Sequence, residues 1–166
     1  MAVRPVLRLP DAVLSRRAAE VGAVDDDVRA LIADLLDTMR ASPACVGLAA
    51  PQIGVSRRVF VADVSGHPKA PDAQGLIVLC DAVVVEATDP AMAREGCMSV
   101  PDLTGDVARA TRVVMRGLDA EGSERTVEAS GFEARALLHE LDHLDGLLFL
   151  DRVTSGRHVH ARKTYK

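Results

Sequence analysis

The sequence predicts an α+β fold, and three observations predict it. A strongly amphipathic helix is expected over 25–40. Short β-type runs follow over 59–64, 76–80 and 82–86, and then over 113–115 and 125–128. A second helix then carries His139-Glu140-Leu141-Asp142-His143. Strands precede that helix rather than alternate with helices, which favours α+β over a doubly wound α/β arrangement. At 166 residues the chain is read as one domain spanning 1–166, long enough to bury a core.

The elements can be justified in order. Val28, Leu31, Ile32, Leu35, Leu36 and Met39 recur at helical spacing, so the first helix is amphipathic and packs on a core. Asp25 or Asp26 can cap it, and further acids in its first turn suit the helix dipole. The segment Gly47-Leu48-Ala49-Ala50-Pro51-Gln52-Ile53-Gly54 is small and apolar with a lone amide. Residues 67–75 hold Pro68 and Pro71 and read as a loop. The runs 113–115 and 125–128 look like paired strands around a turn at 119–122. Ser130 and Glu133 match a capping box, which places the start of the second helix at Gly131. Gly146 can supply the left-handed residue beyond its end. On that helix Leu137, Leu141 and Leu144 point away from the two histidines. The tail 157–166 is basic, and His158 and His160 read as exposed.

Composition excludes several classes. Hydrophobic residues make up 48% and charged residues 27%, as in a soluble globular protein. A net charge of −4 and 2% aromatics argue against a nucleic-acid reader, since Phe60, Phe132, Phe149 and Tyr165 make no stacking platform. No apolar run approaches a membrane span, and the N-terminus shows no secretory h-region. Three widely spaced cysteines, Cys45, Cys80 and Cys97, do not form a disulfide framework. A reducing cytoplasm is the expected location.

The chemistry begins with His139 and His143. Four residues apart on a helix, they share one face and can reach one divalent metal. Glu140 stands beside them, where a carboxylate can handle the proton of an activated water. A hydrolytic site of this type needs a third ligand and an open position. Downstream, Asp145 lies about 160° round the helix from His143, on the wrong side, and Asp151 can cap or pair at the surface. Upstream, Cys97 in Glu95-Gly96-Cys97-Met98-Ser99 could complete a His₂Cys set, although an isolated cysteine is more often a buried inert thiol.

Three motifs now stand in order: Gly47-Leu48-Ala49-Ala50-Pro51-Gln52, Glu95-Gly96-Cys97-Met98-Ser99 and His139-Glu140-Leu141-Asp142-His143. With the ending Leu148-Phe149-Leu150-Asp151-Arg152, the chain resembles the peptide deformylases over nearly its full length. The resemblance implies small mixed or antiparallel sheets packed around a central metal-binding helix. It implies a metal-dependent hydrolase that removes the formyl group from N-terminal formyl-methionine and releases formate. By the same resemblance, Cys97, His139 and His143 bind one divalent metal, Fe(II) above all, with zinc, nickel or cobalt able to occupy the site. Glu140 is then the proton carrier, and the Gln52 amide and the Met98 backbone N–H are the oxyanion donors. Cys45, Val46, Gly47, Glu95 and Gly96 border the substrate. Arg109 is expected to pair with Glu95 and hold the Cys97 loop. The implied partner is an N-formyl-Met peptide or nascent chain, close to the ribosome, with neither nucleic acid nor membrane as a partner.

The sequence also departs from the family. Cys45 stands where glycine is usual, and its sulfur could crowd the peptide groove or sensitise it to oxidation. Leu138 replaces a common glutamine, Cys80-Asp81-Ala82 replaces a common Asn-Pro, and Met98 replaces leucine. The tail after Arg152 is shorter than the long final helix with which some members dock on the ribosome. The competing readings are a paralogue for a specialised formylated substrate, an HExxH metallopeptidase with no need of Cys97, and a binding domain stapled by a closed four-ligand metal.

Overall fold

A computed structural model describes residues 2–162. Helix α1, Asp26–Ala41, begins where the Asp25 side chain accepts from the Val28 N–H at 2.9 Å. Asp26 and Asp27 occupy its first turn and Arg40 its last, each complementing the dipole. Strands β1, Gly47–Ala49, and β2, Val59–Ala62, flank a 3₁₀ turn at Ala50–Ile53. Two long strands follow, β3 at Ile77–Cys97 and β4 at Val100–Leu118, then β5 at Glu124–Ser130. Helix α2, Gly131–Leu144, carries the histidine motif. A short turn α3, Phe149–Arg152, and strand β6, Val159–Ala161, complete the described chain.

The strands join into one antiparallel sheet in the order β1-β2-β3-β4-β5, with β6 added on β4. Alternation explains how the two helices share it. Val59, Val61, Val78 and Cys80 face Val28, Leu31, Leu35 and Met39 of α1. Phe60, Ala62, Ile77 and Leu79 face Leu137, Leu141 and Leu144 of α2. All four residues of β2 are buried, as expected of a strand covered on both faces. The leucines of α2 thus fill the core while its histidines look the other way.

The strand runs 76–80 and 82–86 form one strand with a defect between them. Asp81 adopts a left-handed φ of 52°, and bulges interrupt the register between Cys80 and Val83 and between Val84 and Glu86. The Asp81 carboxylate is held by the backbone N–H groups of Val21 and Gly22 at 2.8 and 2.9 Å. Beyond the bulges, residues 83–94 leave the sandwich and run largely exposed along β4. The strand returns to burial at Glu95 and Cys97. Its long hairpin therefore delivers the cysteine segment to the face of α2.

Two expectations need correction. The start of α2 is as expected, but Ser130 makes no side-chain cap. Glu133 accepts instead from the backbone N–H and the side-chain amide of Gln74, at 3.1 and 2.9 Å. The loop 67–75 competes successfully for that carboxylate. His158 and His160, expected to be exposed, also differ from that reading. β6 pairs with Leu103–Gly105 of β4, and His158 and His160 are half-buried against Asp106. Gly146 does take the left-handed conformation, φ 76°.

Candidate active site

Three segments converge on one cavity of about 560 Å³. The end of β3 supplies Glu95, Gly96 and Cys97; β1 and its 3₁₀ turn supply Gly47 and Gln52; α2 supplies His139 and Glu140. Cys45, Val46 and Met98 line the same cavity. The ligand-type atoms of Cys97, His139 and His143 all lie within 4.8 Å of one another, the only such cluster among the described residues. Cys97 Sγ is 3.4 Å from His143 Nε2. Burial opposes ionisation of the Cys97 thiol, but His143 and His139 outweigh it and hold its pKa well below the usual thiol value.

The histidine orientation is set from behind. His139 Nδ1 lies 2.8 Å from Glu95 Oε1, which leaves Nε2 for the cluster. Burial works against the charged form of His139, yet hydrogen bonds to Cys97 and Glu95 raise its pKa well above the ordinary value. Arg109 holds Glu95 through Nε at 2.5 Å and Nη2 at 3.0 Å, the pair anticipated for these two residues. Its Nη1 reaches Asp142 at 2.7 Å. Arg135 also bonds Glu95, at 2.7 Å, and Arg152 clamps Asp142 at 2.7 and 2.8 Å. Burial would raise the Glu95 pKa, but His139 and Arg109 bring it down to about 2.

Glu140 has a different environment. It is 4% exposed, Oε1 has no hydrogen-bond partner, and burial raises its pKa. Such a group is poised to accept and release a proton rather than to pair. Gly47 lies directly over it. A Cβ at residue 47 would sit 2.6 Å from Glu140 Oε2, so any side chain there would displace the carboxylate from its present position. Gln52 is fixed at both ends of its amide. Oε1 accepts from the Ala49 N–H at 3.0 Å, which turns Nε2 towards Ser99 Oγ at 3.2 Å and Cys97 Sγ at 3.6 Å. The amide N–H groups therefore face the cluster.

The donor set fits a divalent metal. A thiol held towards thiolate and two imidazoles suit Fe(II), Zn, Ni or Co. The partnerless, buried Glu140 Oε1 adds a proton acceptor to that cavity. Neither downstream aspartate takes part. Asp145 pairs with Arg58 at 2.9 Å, and Asp151 caps α3 by accepting from the Leu148 N–H at 2.7 Å. A peptidase reading has no use for Cys97.

Cys45 turns its Sγ to the Gly47 carbonyl at 3.2 Å. Burial, then the nearby Glu140, pushes its pKa up to about 12. A thiol so rarely ionised is a poor target for oxidants. Sequence reasoning missed Ser99, Arg135, Asp142 and Arg152. Arg135 was accessible in principle, since it lies one turn before His139. Asp142 sits inside the motif itself. Ser99 and Arg152 lie inside the quoted motifs, but nothing local marks their roles, because their partners Gln52 and Asp142 come from other segments.

The family model described as Polypeptide deformylase matches residues 3–158. A peptide deformylase from Thermodesulfovibrio yellowstonii is 38% identical over 166 residues, covering 100% of this chain and 98% of the relative. The crystal structure of peptide deformylase from Ehrlichia chaffeensis superposes with a TM-score of 0.85 at 32% identity, covering 94% of this chain and 90% of that one. A Met-Ala-Ser-bound class I type b peptide deformylase from Acinetobacter baumannii gives 0.83 at 33% identity, covering 92% and 99%. Fold, buried Cys-His-His cluster and full-length similarity agree: the chain belongs to the polypeptide deformylase family, metal-dependent hydrolases that remove N-formyl groups from nascent peptides.

Proposed function

We propose that this chain deformylates N-terminal formyl-methionine in the cytoplasm, with Cys97, His139 and His143 holding Fe(II). The observation that carries the residue assignment is the convergence of these three side chains with Glu140 and Gln52 on one cavity beside an edge strand. When bound, a divalent metal polarises the formyl oxygen and makes water nucleophilic near neutral pH. The remaining work falls to the chain. Among the described residues β1 pairs only with β2, so its outer edge can take an extended peptide by strand addition and bring the formyl carbon over Glu140. The attacking water gives its proton to Glu140, whose raised pKa suits it to pass that proton to the departing amine. Negative charge growing on the formyl oxygen is met by Gln52 Nε2 and the Met98 backbone N–H. Glu95 and Arg109 hold His139 and the Cys97 segment in register. The Met-Ala-Ser seen in the Acinetobacter baumannii relative has the form of a deformylated product, and formyl-Met-Ala-Ser is the matching substrate here.

Formate release from formyl-Met-Ala-Ser by Fe(II)-loaded protein, kept free of oxygen, tests the reading. Turnover should fall by about 10²–10⁴-fold in Glu140→Ala with metal content unchanged. Absence of formate from fully loaded wild-type protein would overturn the activity. Metal retention and turnover undiminished in Cys97→Ser would overturn the ligand set. Iron as the metal recovered from anaerobically grown cells would support Fe(II), and zinc alone would reject it.

A further inference from the structure

The 3₁₀ turn that carries Gln52 is too short to satisfy its own last carbonyls. The Gly54 N–H serves the carbonyls of Ala50 and Pro51, and the Val55 N–H returns to Ala50 at 3.1 Å. The carbonyl of the buried Gln52 needs a donor from elsewhere. That donor is the Leu7 backbone N–H, at 2.7 Å. Two residues on, the Leu9 N–H donates to the Ser99 carbonyl at 3.0 Å. Alternate N–H groups of an extended segment point to the same side, so Leu7 and Leu9 act as two rungs of one strap. The strap joins the Gln52 turn to the Met98-Ser99 turn between β3 and β4. The two turns meet again through side chains, with Gln52 Nε2 3.2 Å from the hydroxyl of the fully buried Ser99. The outer end of the strap is moored on α1. The Arg4 N–H donates to Thr38 Oγ1 at 2.8 Å, and the Ala2 N–H and the Arg4 guanidinium reach Asp34 at 2.7 and 3.0 Å.

We infer that Leu7 and Leu9 are positioning residues for the oxyanion donors. Their backbone N–H groups hold the Gln52 turn and the Met98-Ser99 turn at the separation at which the Gln52 amide and the Met98 N–H act on one oxygen. This rests on the deformylase reading and on those two donors. Such donors work because they are fixed before the charge develops, and here they sit on turns from different parts of the chain. The Ala49 N–H fixes the Gln52 amide within its own turn, at 3.0 Å from Oε1. The strap and the Ser99 hydroxyl tie it to the other turn. Deleting an oxyanion donor outright costs about 10²–10³-fold in kcat. Loosening one rung only lets the turns part slightly, and the expected loss is about tenfold.

The test exchanges single backbone N–H groups for ester oxygens, by placing the α-hydroxy acid analogue of leucine at residue 7 or 9 of the full chain. Losing one hydrogen bond leaves the fold intact. In metal-loaded protein acting on formyl-Met-Ala-Ser, kcat should fall about tenfold at either position, with KM within about twofold and metal content unchanged. The same exchange at Arg8, between the two rungs, should leave kcat within about twofold. In a Gln52→Ala background the ester at residue 7 should cost nothing further, because the donor it positions is gone. The side-chain amide resonances of Gln52, read by ¹H–¹⁵N NMR without turnover, should shift with the ester at residue 7 and stay in place with the ester at Arg8. An unchanged kcat at both rungs, a loss carried by KM alone, or a full loss that persists in Gln52→Ala overturns the inference, while wild-type turnover leaves the deformylase reading standing. No formate from the metal-loaded wild type overturns both.

Discussion

Two charged clusters hang on the same strand three residues apart, and they differ in almost every physical respect. Arg109 of β4 joins Glu95, Asp142, Arg135 and Arg152 behind the histidines. Asp106 of β4 joins Arg94, His158 and His160 at the surface. Arg109 and Glu95 side chains are 3% and 5% exposed, whereas Asp106 and Arg94 are 24% and 56% exposed. Burial removes the water that would otherwise replace a lost partner, so the inner cluster fixes geometry and the outer one only leans on it. One strand face thereby supports the ligands while the other tethers the C-terminal strand.

Breaking the inner cluster should have the largest effect. Arg109→Ala leaves Glu95 and Asp142 buried with fewer partners and should cost about 3–5 kcal/mol of stability, read from denaturant midpoints. If the cost is under about 1 kcal/mol, the contrast between the clusters collapses. Loss of His139 orientation should also lower metal affinity by about 10–100-fold, measured by chelator competition.

Acid should expose the same asymmetry more gently. Burial raises the pKa of Glu95 and Asp142, but their partners win, His139 and Arg109 for the first and Arg152 and Arg109 for the second, so both folded-state values are depressed. Stability from these groups is therefore complete above their unfolded values, 4.5 and 3.8, and is lost as pH falls towards about 2 for Glu95. Thermal midpoints of wild type should drop through that window, and Asp142→Asn should flatten the slope. An unchanged slope in Asp142→Asn would assign acid sensitivity elsewhere.

The smallest effect belongs to the outer cluster. His160→Ala should cost at most about 1 kcal/mol and the difference should shrink in high salt. A larger, salt-insensitive loss would make the tail part of the core fold.

The same contrast explains what the sequence made legible. Helix α1 and the histidine motif were readable because their information is local: an apolar stripe, an Asp25 cap, and an i, i+4 pair. The family resemblance added Cys97 and Gln52, which the fold brings to one cavity, and Arg109, which it places behind Glu95. The long hairpin was not readable. Residues 83–94 are largely exposed, so no alternation marks them, and Pro90 lies opposite Ala110 within the strand pair. Ser130 and Glu133 gave a cap pattern that Gln74, far away in the chain, captured. The pairing of β6 on β4 is likewise a long-range event with no local signature.

The close approach of Gly47 to Glu140 carries a consequence for how this site can evolve. A Cβ added at Gly47 and the carboxylate of Glu140 would compete for one volume, with 2.6 Å between Cβ and Oε2. The two positions are therefore epistatic. Alanine at residue 47 requires the Glu140 side chain to shift, and a shorter acid at residue 140 would relieve the contact only by withdrawing the carboxylate from the cavity by one methylene. A substitution at residue 47 therefore moves the proton carrier as well as altering the strand edge.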